Sequence, residues 1–300
     1  MTRPRLGVAD LGLGLGLRAP HHDEILATSP AVDWFECITE DFAVDGGIMR
    51  ATLDAVRARY PIVPHGVSLN LGGPDPLDRT LLRRLRTLVD RLHAPWASDH
   101  LCWNGARGLH LHELLPLPLT DEAVEHVASR VREIQDTLGV PFAFENVSSY
   151  LTFRADSMPE WDFVSAVAER ADCGILLDVN NVFVSARNHG FDSGRYLDSL
   201  PVDRVLQIHL AGPTDMGRYL LDSHGAHVRP EVWSLYRHAC RRFGPCSTLL
   251  EWDENIPPLA VLLAELERAR LERAAGLAER SPLVPPPGDL PQVPRCEASR

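Results

Sequence analysis

The 300-residue chain lacks most of the features that would assign it quickly to a class. It has no run of about 18 apolar residues, the length a membrane-spanning helix needs. Its six cysteines (Cys37, Cys102, Cys173, Cys240, Cys246 and Cys296) include no CxxC pair, which argues against a zinc ribbon or a disulfide framework. They read as buried, reduced thiols. Positive charge is scarce: 30 Lys and Arg against 41 Asp and Glu leave −11, a surface that repels nucleic acid and anionic membranes. There is no P-loop GKS/T and no G-x-S-x-G nucleophile elbow. The string Gly12-Leu-Gly14-Leu-Gly16 stops short of a dinucleotide fingerprint, because Leu17 stands where the last glycine would be. It reads as small residues in a strand and its turn. The start, MTRPRLGVADLGLGLGLRAP, imitates a signal peptide until Asp10, and no small-residue cleavage site follows. The expectation is a cytoplasmic protein with neither a membrane nor a nucleic-acid partner.

What is present is a composition of 45% hydrophobic and 24% charged residues, enough for a large core. Short apolar runs at 5–10, 32–38, 62–69, 96–102, 141–147, 174–180, 204–210 and 247–252 alternate with longer segments of helical period. Eight βα units predict an α/β fold, a (β/α)8 TIM barrel, with an open doubly wound sheet as the competing arrangement. Residues 1–280 read as a single domain and 281–300 as a Pro-rich flexible tail.

An ionisable side chain recurs near the carboxyl end of seven of these runs: Glu36, His65, His100, Glu145, Asp178, His209 and Glu251. Desolvating a lone carboxylate there costs several kcal/mol, so such groups need a mutual reason to be present. In a barrel they converge on one mouth, and bound divalent cations supply the reason. Asn180 and Asn181 follow Asp178 closely, and Asp222-Ser-His224 forms a D-x-H pair in a glycine-containing loop. This donor set exceeds one coordination sphere and implies two or three ions. Mixed His and carboxylate ligation suits iron, manganese or zinc without choosing among them. His21 and His189 fall on loops at the mouth side and read as substrate contacts. His93, His126 and His238 lie in helical patterns, and His110 and His112 in an extended segment with a packing role.

The motifs GLRAPHHDEIL, HGVSLNLGGPDPLD, SDHLCW, LPLPLTDEAVEHV, FENVSSYLTF, LLDVNNVFVSARNHGFD, QIHLAG, LDSHG and EWDENIP closely resemble the multinuclear non-haem iron-dependent oxidative enzymes, the methanobactin-type peptide maturases. The resemblance spans about residues 5–270. It implies a xylose-isomerase-like barrel in which His65, His100 and Glu145 hold one iron. Glu145, Asp178, His209 and Glu251 would hold a second, and Asn181, Asp222 and His224 a third, weaker one. Glu145, Asp178 and His209 would be catalytic, and Glu36 and Asp253 would join His21 and His189 as substrate contacts. Asp41 in TEDF departs from the asparagine the family often carries there, which affects substrate contacts rather than metals. The implied chemistry is O2-dependent oxidation of a ribosomally made precursor peptide, at cysteine or another residue. A mixed-valent Fe(II)/Fe(III) pair would serve it, and a small partner protein would deliver the leader. The alternative is a redox-neutral divalent-metal barrel enzyme of the sugar isomerase or phosphoesterase type.

Overall fold

A computed structural model describes residues 6–43 and 46–280. Eight parallel strands close into a barrel: β1 (Leu13–Gly16), β2 (Trp34–Ile38), β3 (Ile62–Gly66), β4 (Ala97–His100), β5 (Phe142–Glu145), β6 (Gly174–Asp178), β7 (Val205–Leu210) and β8 (Ser247–Leu250). Each strand pairs with its chain neighbours, and β8 closes on β1 through Leu13↔Thr248 and Leu15↔Leu250. The strands are buried on both faces, as a sheet jacketed by helices must be. The open-sheet alternative is thereby excluded.

The first strand differs from expectation. It is not at 5–10 but at Leu13–Gly16, inside the glycine string. Residues 1–5 lie outside the described residues, as do 281–300 and with them the expected tail. Glycine weakens a strand in isolation, yet packing requires it here. A Cβ on Gly14 would sit 2.5 Å from Cε2 of the Trp34 ring. Trp34 and Trp96 meet edge to face at 6.1 Å and, with Val63, Leu176 and Leu249, fill the barrel interior below the site.

Helices flank the barrel with apolar faces turned inward. Leu82, Leu85, Val89 and Leu92 are the buried stripe of the helix Arg79–Leu92, and Asp78 caps it by accepting from the Thr80 and Leu81 amides. Two excursions decorate the mouth. A hairpin (Trp103–Ala106 with Leu109–Leu115) follows β4, and a short one (Thr214–Asp215 with Leu220–Leu221) follows β7. No helix among the described residues is long and apolar enough to cross a membrane. The five cysteines among them are all buried.

Candidate metal centre

Parallel register sets the ionisable residues side by side: His100 pairs with Glu145, Asp178 with His209, and His65 with Ser98. Glu145 lies at the centre and is 1% exposed. Its Oε2 is 3.1 Å from His65 Nε2 and 3.4 Å from His100 Nε2, and its Oε1 is 3.6 Å from His209 Nδ1. Glu251 Oε2 lies 3.1 Å from His209 Nδ1 and 3.2 Å from His224 Nδ1.

Each strand-borne imidazole is held by one nitrogen and turns the other toward the acids. His65 Nδ1 bonds Ser98 Oγ at 2.9 Å, and His100 Nδ1 donates to the Gly66 carbonyl at 3.0 Å. His209 Nε2 faces Glu36 Oε1 at 3.2 Å. A carboxylate or carbonyl behind the far nitrogen is the usual support of a metal-ligating histidine. Gln207 extends that support, donating to Glu36 at 2.6 Å and accepting from Trp96 Nε1 at 2.7 Å.

Seven buried atoms here make no hydrogen bond: both oxygens of Glu145, Asp178 Oδ2, Asn181 Oδ1, His65 Nε2, His209 Nδ1 and His224 Nε2. Leaving a buried polar group unpaired costs about 1–3 kcal/mol. Six of the seven lie within ion-pair distance of one another yet out of hydrogen-bond geometry, and the seventh, Asn181 Oδ1, is a neutral amide oxygen. Their charge states are equally opposed. Burial disfavours a charged His65, but Glu36 and Glu145 override it and raise its pKa to about 9. Burial, the largest influence on Asp178, pushes it up to about 8. Burial would raise Glu145 too, yet His100 and His209 hold it well below the usual carboxylate range. Cations placed among these atoms would satisfy the oxygens and the imidazole lone pairs together, so the residues fit metal ions.

Three groups have donor atoms within 4.8 Å of one another: His65, His100 and Glu145; Glu145, Asp178, His209 and Glu251; and His224, Glu251 and Asp253. The first two are the sets anticipated from the sequence, joined by Glu145. The third differs, since Asp253 joins His224 and Glu251. Asp222 approaches the opposite nitrogen of His224, with Oδ1 at 2.8 Å from Nε2, while accepting from Asn180 Nδ2.

The remaining expected substrate contacts disperse. Glu36 is buried, with its Oε1 held against His209 Nε2 and its Oε2 accepting from Gln207 Nε2. His21 is buried too, its Nε2 bonded to the Pro257 carbonyl at 2.8 Å, a packing position. His189 is exposed and bonds Ser149 Oγ at 2.9 Å, beside the mouth. Of the histidines given structural roles, His126 bonds the Gly73 carbonyl and His238 bonds Asp198. His110 and His112 lie on the exposed strand Leu109–Leu115.

Sequence reasoning missed Ser98, Gln207 and Arg18, which hold His65, Glu36 and Glu251 in place; Arg18 Nη2 reaches Glu251 Oε1 at 3.2 Å. The only signal was the alternation that puts Gln207 inward beside His209.

Residues 12–273 match the family described as RiPP precursor modification enzyme MbnB/TglH/ChrH, which acts on ribosomally made, post-translationally modified peptides. The chain is 54% identical over 268 residues to a UPF0276 protein of Anaeromyxobacter sp., covering 89% of this chain and 95% of that one. It is 49% identical to a UPF0276 protein of Caulobacter vibrioides, covering 88% and 95%. Among solved structures it resembles an L-ribulose 3-epimerase (TM-score 0.57, 14% identity, 90% of this chain and 95% of that one). It also resembles a xylose isomerase-like TIM barrel protein from Mycobacterium smegmatis in complex with magnesium (TM-score 0.56, 12% identity, 90% and 98%). Likeness at that identity concerns the fold alone.

Proposed function

Because this chain belongs to the MbnB/TglH/ChrH family of RiPP precursor modification enzymes, we propose that it is an O2-dependent multinuclear iron oxidase acting on a precursor peptide, with cysteine as the residue modified. The observation that carries this reading is the sharing of Glu145 between two donor groups and of Glu251 between two. A single-ion site has no use for a bridging carboxylate.

When bound, a pair of irons would supply a site for a substrate thiolate and one-electron chemistry toward O2. His65, His100 and Glu145 would hold one, and Glu145, Asp178, His209 and Glu251 the other, as the catalytic centre. His224 would carry a third ion with Glu251 and Asp253, and with Asn181 and Asp222 at its flank. Glu36 keeps His209 aimed, and Arg18 occupies one oxygen of Glu251 so that the other faces the site. Exposed apolar side chains gather on the loops after β4, β5 and β7 (Leu109, Leu111, Tyr150, Leu151, Met216 and Tyr219), a surface suited to a peptide and a leader-delivering partner protein.

The test is to purify the protein anaerobically and supply O2 with any short cysteine-bearing peptide found encoded beside its gene. A peptide mass change that needs both O2 and iron supports the oxidase. Conversion that proceeds under argon with magnesium or zinc would establish the redox-neutral alternative.

A further inference from the structure

A second concavity of about 200 Å³ lies beside the metal mouth, beneath the segment that follows β5. Val147, two residues beyond Glu145, lines both it and the mouth. Its walls are largely apolar, with Leu119, Phe153, Trp161 and Phe191 prominent.

Five polar side chains in the wall, those of Asn146, Ser149, Asp156, Glu160 and His189, are already engaged. Asn146 clasps the Asp178 backbone, donating to its carbonyl at 3.0 Å and accepting from its amide at 2.9 Å. Asp156 accepts from the Leu119 and Phe153 amides, both at 2.8 Å. Ser149 bonds His189, and Glu160 Oε1 accepts from Tyr196 at 2.9 Å. Such bonds stiffen the cavity and leave an entrant mainly apolar surface to meet. Size points the same way, since an apolar cavity of roughly 150 Å³ accepts a benzene ring.

We propose that this cavity is a side-chain subsite of the peptide substrate, taking an aliphatic or aromatic residue near the one held at the metals. The inference rests on the peptide-modifying reading above. Of the two wall carboxylates that could instead favour a cation, Asp156 is held by two backbone amides and Glu160 by Tyr196. Burial pushes the pKa of Glu160 up to about 7, which disfavours its charged form.

Trp161 reports on the cavity without turnover. The full chain, labelled with 5-fluorotryptophan, is titrated with N-acetyl amides of leucine, phenylalanine, serine, aspartate and arginine, and followed by fluorine NMR. Trp161→Phe assigns the resonance among the six tryptophans, and a linewidth and dispersion matching the parent show that this variant is folded. The leucine and phenylalanine amides are expected to shift the Trp161 signal saturably, with midpoints on the order of millimolar for ligands this small, while the serine and aspartate amides leave it in place. No saturable shift from the apolar amides, or a tighter response to the arginine amide, overturns the proposal. Metal content and peptide oxidation, measured separately, reveal a failure of the oxidase reading, which this titration does not require.

Discussion

Glu145 is surrounded by three imidazoles and belongs to two donor groups, with neither of its oxygens hydrogen bonded. Glu145→Gln keeps the size and one acceptor oxygen but removes the anion that would offset charge on two ions. Loss of a mere supporting partner of a ligand costs about 10–100-fold, so this change should lower activity by more than about 100-fold and empty both positions. His100→Gln, which touches one group only, should lower the metal count by about one. Elemental analysis of the two variants checks this, and a Glu145→Gln protein with normal metal content would contradict it. The acids and histidines were legible in the sequence because buried ionisable groups at strand ends are expensive and demand a cause. Ser98, Gln207 and Arg18 were not, since a neutral polar residue in a strand, or an arginine in a turn, is compatible with many roles. Glu36 was noticed but expected to touch substrate. Its position at a strand end is plain in the sequence, while only the packed barrel shows its carboxylate engaged with His209 and Gln207.

At the scale of elements, seven of the eight strands were readable from apolar runs, and β1 was not. Its Leu-Gly alternation has low strand propensity, and what selects it is the Trp34 ring lying against Gly14. Gly14→Ala should therefore destabilise the protein by about 1–3 kcal/mol through overpacking, seen as a lower denaturation midpoint. An unchanged midpoint would mean that Trp34 can move aside. The loop 222–225 is a second case. It brings His224 to Glu251 and Asp253 from a segment that follows the short strand Leu220–Leu221 rather than a barrel strand, and His224 itself has a left-handed φ of 47°. Loops hold sites less tightly than strand ends. His224→Ala is expected to release one metal per chain and leave the Glu145-centred pair in place; release of all metal would show that the third position is inseparable from the others. The composition of this third group, with Asp253 in it, was hidden from sequence because Asp253 and His224 are joined only by the fold, through the Asp253 amide and the His224 carbonyl at 2.8 Å.

For the molecule as a whole, the closed barrel explains why residues spread from position 65 to 251 meet in one place, and the same architecture is shared with an L-ribulose 3-epimerase at 14% identity. The βα rhythm predicted that architecture, while the chemistry had to be read from the donor set. The proposed multinuclear iron centre is tested most directly by the metal content and Mössbauer spectrum of the anaerobically purified full chain. Two to three irons per chain, with at least two in an exchange-coupled pair, is the predicted result. One zinc or magnesium per chain and no iron would contradict it.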